Sequence, residues 1–311
     1  MPAKKPLRIV VAINPSASFG KGRNVGPAVV AQLEALGHEV TRLQAPDFQQ
    51  LIAAGRAAVA EKPDALVVVG GDGMVNLGTN LVAQTGVPLG IVPSGTGNDM
   101  ARGLGIPVGD TAASVQTLLD ALERAPRDID AGLIRHMDDT TGAAKQTWYA
   151  CMISAGLDAM ANERANRMTY PKGPVRYIIA LVIELVKLRP IHYRIVLDGV
   201  EQTTPAALVS VGNNVSLGGG MKVTPNALVD DGLLDVLVVQ PLGRVAFMRI
   251  FPKVFKGEHL SDSRVTVTLA KRVVIDAENI VAFADGERLG RLPIDIEVVP
   301  NALRILAPAT N

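Results

Sequence analysis

Through the first 130 residues, short apolar runs alternate with segments whose apolar positions return at helical spacing. The runs Leu7 to Ile13, His38 to Leu43, Ala65 to Val69 and Pro88 to Val92 predict strands. Val25 to Leu36, Asp47 to Glu61 and Met74 to Gln84 predict the helices between them, and Asp110 to Arg124 a further helix closing the unit. Gly37, Pro63 and Gly86 stand where those helices must stop. Leu66 to Val69 is apolar at every position, so both of its faces must be covered. Parallel sheets under crossover helices have that property. Residues 1–130 are therefore expected to form an α/β domain with a parallel sheet.

From about Asp130 the pattern changes to alternation with β-branched enrichment, in Tyr193 to Leu197, Ala207 to Val211, Leu233 to Val239, Arg264 to Leu269 and Val273 to Asp276. Asp198-Gly199 and Asp231-Gly232 are turn dipeptides, and Gly218-Gly219-Gly220 is a flexible connection. Residues 131–290 are expected to form a C-terminal β-sandwich domain carrying two helices, Arg176 to Leu188 and Arg244 to Lys256. Ile294 to Val299 and Leu303 to Leu306 predict two more strands.

Composition narrows the function classes. Of 311 residues, 48% are hydrophobic and 20% charged, enough to bury a large core and incompatible with a disordered chain. Lys and Arg total 31 against 30 Asp and Glu, so a globally basic nucleic-acid binder is disfavoured and no nucleic-acid partner is expected. The one cysteine, Cys151, excludes an internal disulfide and any CxxC zinc site. His38, His136, His192 and His259 form neither HxxxH nor HExxH spacing, which argues against a zinc hydrolase. The longest apolar run, Ile178 to Ile183, ends at Glu184, far short of the roughly 18–20 residues that span a bilayer. Lys4 and Lys5 before Leu7 to Ile13 look like the start of a signal sequence, but no small-x-small cleavage site follows and Asn14-Pro15 ends the run. A buried strand is the expectation there, in a cytoplasmic chain that is soluble or peripheral.

Three polar, glycine-bearing loops follow successive strands. Gly70-Gly71-Asp72-Gly73 lies between a buried strand and a helix, where open α/β sheets bind ligands. Glycines let backbone N–H groups approach a polyanion, and an aspartate beside phosphates argues for Mg²⁺ between them. An Asp-Gly turn without a ligand fits the same four residues. Pro93 to Asp99 (PSGTGND) offers Ser94, Thr96, two glycines and an Asn-Asp pair at a helix start, where Asn98 is equally an N-cap. Asn14 to Gly22 adds Lys21 and, just beyond it, Arg23. None fits GxxxxGK[ST] or GxGxxG, so neither a P-loop nor a dinucleotide fingerprint is supported.

Together GGDGMVN at Gly70 to Asn76, PSGTGND at Pro93 to Asp99 and NPSAS at Asn14 to Ser18 resemble the diacylglycerol kinase catalytic family. SAGLDA at Ser154 to Ala159, the VDDG turn at Val229 to Gly232 and DGE at Asp285 to Glu287 extend the resemblance along nearly the whole chain. NAD kinases share the GGDG loop without the PSGTGND and DGE combination. The resemblance implies an NAD kinase/diacylglycerol kinase-like fold whose C-terminal segment, 291–311, returns to the first domain, with the cleft between the two halves and hinges near residues 130 and 290. It implies nucleotide contacts at Asn14, Pro15, Ser16, Ala17 and Ser18, at Gly71, Asp72, Gly73, Met74, Val75, Asn76 and Leu77, and at Thr96. It implies a general base at Glu287, although Asp285-Gly286 reads by itself as an ordinary hairpin turn. A Mg²⁺ site would use the Asp231 carboxylate with carbonyls of Leu228 and Leu233, where Asp230 and Asp231 otherwise simply shape a turn. Met74 stands where the family has Thr, Leu77 where Glu is common and Ala45 where a Thr contacts the nucleotide. Each lost hydrogen bond is worth about 1 kcal/mol.

The implied activity is ATP-dependent phosphorylation of a lipid hydroxyl, with diacylglycerol giving phosphatidic acid. Two alternatives stay open: a non-catalytic nucleotide or lipid sensor of the same fold, and a kinase acting on a sphingoid or other lipid alcohol. NAD phosphorylation is a third. The partner is a membrane lipid, met by peripheral contact, and a homodimer stays open, the sequence leaving the oligomeric state undetermined. Arg176, Lys187 and Arg189 flank one apolar helix, and Arg249, Lys253 and Lys256 interleave with Phe247, Ile250, Phe251, Val254 and Phe255. That pattern suits an anionic lipid surface, while most of those apolar residues are expected to pack on the sheet.

Overall fold

A computed structural model describes residues 5–14, 24–171, 174–187 and 190–309. The chain divides into two compact units, residues 1–131 with 300–311, and residues 132–299.

The first unit alternates strands and helices: β1 (Arg8–Ile13), α1 (Val25–Ala35), β2 (Glu39–Leu43), α2 (Phe48–Ala60), β3 (Ala65–Gly70), α3 (Asp72–Val82), β4 (Leu89–Pro93), α4 (Asp99–Gly103) and α5 (Thr111–Leu122). The strands run parallel in the order β2-β1-β3-β4. β3 and β4 are buried at every position, as an uninterrupted apolar run requires of a strand covered on both faces. Ile9, Val11, Val67 and Val92 pack on one face against Val29 and Leu33 of α1 and Val115 and Leu118 of α5. The α2 and α5 starts are capped by side chains, Asp47 accepting from the Gln50 N–H and Asp110 from the Ala113 N–H.

The second unit is built from antiparallel strands. β5 (Arg127–Met137), whose first residues belong to the first unit, pairs with β6 (Ala144–Tyr149). β7 (Met152–Gly156), α6 (Leu157–Arg167) and α7 (Pro174–Lys187) follow, then β8 (Ile191–Leu197), β9 (Val200–Ala206), β10 (Leu208–Gly212) and β11 (Leu234–Val239). After α8 (Arg244–Ile250) come β12 (Val265–Ala270), β13 (Arg272–Asp276), β14 (Val281–Ala284), β15 (Glu287–Arg291) and β16 (Ile294–Leu306). One sheet has the order β12-β11-β10-β7-β14-β15. Its inner residues Ile153, Val209, Val211 and Val236 meet Tyr193, Ile195, Val273, Ile275 and Ile296 of β8, β13 and β16 in one core, which makes this unit a β-sandwich.

Several elements differ from the sequence expectation. Ile294 to Val299 and Leu303 to Leu306 are one strand. Within β16, Ile294 to Glu297 pair with β13, while Ile305 and Leu306 pair with Leu89 and Gly90 in the first unit. The change of partner falls near Asn301, which takes a positive φ of 54° and donates its N–H to Asp130 Oδ1 at 2.9 Å. The helix expected over Arg244 to Lys256 stops at Ile250 and continues as a 3₁₀ turn, Phe251–Lys256, because Pro252 has no N–H for an α-helical bond. Among the described residues no helix is long and apolar enough to cross a membrane.

Candidate active site

In the first unit the ends of β1, β3 and β4 come together. The Asn14 N–H donates to Val69 O at 3.3 Å and the Ser94 N–H to Gly70 O at 2.9 Å. A Cβ on Gly95 would lie 2.4 Å from the Gly71 Cα, so the two glycine loops touch backbone to backbone. No side chain can be accommodated there by rotating a neighbour. A Cβ on Gly97 would meet the Asp72 carboxylate at 2.2 Å. Asn98 sits in the left-handed region at φ 54°, and its amide closes the loop on itself, accepting from the Gly95 N–H at 3.0 Å and donating to Gly95 O at 2.8 Å. The result is a backbone-lined cradle at the N-terminus of α3, where a helix offers donors and positive potential to an anion.

Asp72 does not stand in this cradle as a free charge. Its carboxylate accepts the N–H groups of Asn98 at 3.0 Å and Asp99 at 2.8 Å, pinning one glycine loop to the other. Burial, with Asp99 nearby, raises its pKa, and the two backbone donors hold it partly down. Two backbone N–H groups thus meet part of the charge for which the sequence argument invokes Mg²⁺. Met74, Val75 and Leu77 are 1%, 4% and 3% exposed, so their side chains belong to the core and only their backbone is left for a ligand. Met74 also presses on Gly70, where a Cβ would meet its Cγ at 2.3 Å. Among the described residues Asn76 Nδ2 is buried without a hydrogen-bond partner, an orphan donor on the first turns of α3. Thr96 is exposed on its loop and Ala45 is half-buried. Pro15, Ser16, Ala17 and Ser18, with Lys21 and Arg23, lie outside the described residues, as do Leu188, Arg189 and the side chain of Lys187.

In the second unit Asp285 and Gly286 have φ of 48° and 84°, the two left-handed residues of a type I′ hairpin turn between β14 and β15. Asp285 is buried, and its carboxylate accepts the N–H groups of Ala150, Cys151 and Met152, each at 2.9 Å. This anchor fixes Glu287 as the first residue of β15, opposite Ala284. Among the described residues the Glu287 carboxylate makes no hydrogen bond or ion pair. The residue is exposed by area, yet desolvation of its carboxyl raises the pKa above the ordinary 4.5. Beside it, Arg288 is held by Asp139 at 2.8 Å, and Asp139 also accepts the Arg291 N–H at 3.0 Å. The anchoring by Asp285 and Asp139 escapes sequence reading, because their partners lie more than 130 residues away.

Asp231 Oδ1 accepts the Leu233 N–H at 3.0 Å, and the Leu228 side chain is 58% exposed. The buried Asp235 stands close enough to Asp231 that burial, and then the neighbouring charge, lift its pKa to about 6. The two carboxylates are near enough to feel each other's charge, and carboxylate oxygens are donors of the kind a hard cation takes. Among the described residues no group of three His, Cys, Asp or Glu side chains forms a metal site.

Residues 8–134 match the model of the diacylglycerol kinase catalytic domain, and residues 151–307 that of the YegS C-terminal NAD kinase beta sandwich-like domain. A diacylglycerol kinase of Mycobacterium tuberculosis (strain ATCC 25618 / H37Rv) is 38% identical over 305 residues, covering 97% of this chain and 95% of the relative. A crystal structure from Bacillus anthracis str. Sterne, 24% identical, has a TM-score of 0.75 and covers 98% of both chains. Yeast NADH kinase complexed with NADH, 14% identical, has a TM-score of 0.58 over 97% of this chain and 83% of its own, and shares the fold. With the cradle, the anchored glutamate and these matches in hand, the chain belongs to the diacylglycerol kinase family and is a kinase.

Proposed function

We propose that this kinase transfers the γ-phosphoryl group of ATP to a lipid hydroxyl, with diacylglycerol as the acceptor and phosphatidic acid as the product. The observation that carries the reading is Glu287, a carboxylate with no hydrogen-bond or ion-pair partner among the described residues, on an Asp285-anchored hairpin. Such a group accepts the hydroxyl proton as the oxygen attacks the γ-phosphorus in line. The glycine loops support nucleotide binding through backbone N–H groups, and the Asn76 amide adds a donor unpaired among the described residues. That backbone character explains how the family chemistry tolerates Met74 and Leu77 in place of Thr and Glu. Mg²⁺, when bound, neutralises phosphate charge. Asp231 with the carbonyls of Leu228 and Leu233 would hold one ion. Peripheral contact with the membrane is part of the reading, through the exposed Val245, Met248 and Phe255 among Arg244, Arg249, Lys253 and Lys256.

The test is transfer of labelled γ-phosphate to a total lipid extract with Mg²⁺, the product being identified by mass spectrometry. Labelled phosphatidic acid that disappears with Glu287→Gln is the expected result. Labelling of NAD with no labelled lipid would overturn it.

A further inference from the structure

Glu287 lies on β15, the strand that ends the six-stranded sheet, with β14 as its neighbour on one side only among the described residues. An edge strand has half of its backbone groups unpaired and is the one most free to fray or slip. β15 also carries a bulge: Ala282 pairs with Gly290 and Phe283 with Arg288, so Leu289 is an extra residue. The pairing decides which way Glu287 points. It stands opposite Ala284, a residue of the sandwich core, whereas Arg288 stands opposite Phe283 and takes the other face. A slip of one residue exchanges the faces and puts a cation where the carboxylate belongs.

The turn between β5 and β6 reaches this edge. Asp138 braces the turn from within, Oδ1 accepting the N–H groups of Thr140 and Thr141 at 2.9 Å and its carbonyl accepting the Gly142 N–H at 2.8 Å. Asp139 is thereby presented to β15. Its Oδ1 accepts the Arg291 N–H at 3.0 Å, and its Oδ2 meets the Arg288 guanidinium at 2.8 Å. The Arg291 N–H is on the side away from β14, because the next residue, Leu292, donates to Ile280 O at 3.0 Å. Residue 290 must be glycine for this contact. Its φ is 134°, and a Cβ there would lie 2.9 Å from Asp139 Oδ1.

Arg288 is also 3.8 Å from Glu163 of α6, which bonds Arg167 at 3.0 Å. Acids from two other elements thus hold the guanidinium that is the chain neighbour of Glu287. The charged groups around the strand are Arg288 and Arg291 upon it, Asp285 at its start, and Asp139 and Glu163 across from it. With these in place, burial alone moves the Glu287 carboxyl.

We propose that Asp139 is a positioning residue for the transfer step: from the β5–β6 turn it fixes the register of β15 and holds Arg288 off, so that Glu287 keeps its face and stays unpaired. The base role of Glu287 rests on the lipid-kinase reading, whereas the hold of Asp139 on β15 does not.

The full chain, Asp139→Ala, Asp139→Asn and Glu287→Gln would be compared by two measurements, each variant first checked for cooperative melting. Exchange of the Leu292 amide, which bonds Ile280 rather than Asp139, reports whether β15 is held. The kcat profile against pH on saturating ATP and lipid reports the base. In Asp139→Ala the Leu292 amide is expected to exchange at least about 10-fold faster. Its kcat is expected to fall at least about 10-fold, with the KM for ATP unchanged within about twofold. The inflection should move down toward 4.5, because water and the released Arg288 both favour the carboxylate, a shift that lost stability alone does not produce. Asp139→Asn keeps an oxygen for the Arg291 N–H but releases Arg288, so it should recover most of the kcat and still show a lowered inflection. It carries the test if the alanine variant does not fold. Unchanged Leu292 exchange in Asp139→Ala overturns the proposal, as does faster exchange with an unmoved kcat and inflection while Glu287→Gln is inactive. Parental kcat in Glu287→Gln removes the base reading instead, and the exchange result then decides alone whether Asp139 holds β15.

Discussion

Glu287, the proposed general base, feels desolvation with no donor or cation among the described residues to offset it, and so ionises later than an ordinary glutamate. A general base works only as the carboxylate. The rate of transfer is therefore expected to climb with pH through an inflection displaced upward from 4.5, a displacement visible in a kcat profile measured on saturating lipid. Glu287→Gln keeps the shape and removes the basicity, for an expected loss of about 10²- to 10⁴-fold in kcat. Because the folded carboxyl has the raised pKa, its ionisation costs stability: the favourable contribution is complete below the unfolded pKa and lost as pH rises through the folded one. Glu287→Gln should consequently melt no lower than the parent at pH 7.5. An unchanged kcat in that variant would assign the proton to another group.

At the scale of elements, the turns around the site depend on carboxylates that accept backbone N–H groups from distant segments. Asp285→Ala strips three such bonds and leaves the donors of Ala150, Cys151 and Met152 buried. With bonds to charged groups worth about 1.5–3 kcal/mol each, a loss of at least about 3 kcal/mol is expected, read as a lower denaturation midpoint in urea. The loop carrying Asp231 and Asp235 makes a different prediction. Asp235 has a folded pKa of about 6 against 3.8 unfolded, so its stabilising contribution is complete below pH 3.8 and gone above pH 6. Asp235→Asn should raise the Tm at pH 7.5 and leave it unchanged near pH 3.5. Added Mg²⁺ should raise the parent's Tm at pH 7.5, and Asp231→Asn should abolish that rise. These elements also show what the sequence can disclose. The strands β1, β3 and β4 were legible because, after Arg8 in β1, they run apolar and buried, and the glycine loops because special backbone needs leave Gly, Asn and Asp behind. By contrast, β6 (AKQTWY) is mostly exposed and α6 (LDAMANERANR) is strongly polar, so neither shows a clean period. The roles of Asp72 and Asp285 stayed hidden for another reason: a clamp between loops 26 residues apart, or segments 133 to 135 apart, has no local signature.

For the whole molecule, 31 cations against 30 acidic residues leave a formal charge of +1, too little to steer the chain toward an anionic surface from a distance. On the proposed lipid-kinase reading, attraction to a bilayer would be local and short-ranged, concentrated where cations and exposed apolar side chains coincide, at Arg244 to Lys256. Two contributions there respond to different variables. Each lysine near an anionic leaflet is worth about 1 kcal/mol, so Lys253→Ala with Lys256→Ala should weaken cosedimentation with phosphatidylglycerol vesicles about 30-fold and flatten its dependence on salt. Phe255→Ser removes apolar area instead. It should weaken binding by a comparable amount, about 1.5–3 kcal/mol for a ring that becomes fully buried, while leaving the salt dependence intact. Neutral phosphatidylcholine vesicles should bind the double lysine variant and the parent alike. If the lysine pair and Phe255 proved interchangeable in their salt response, or if neither mattered, the contact with lipid would have to be sought on another surface of the chain.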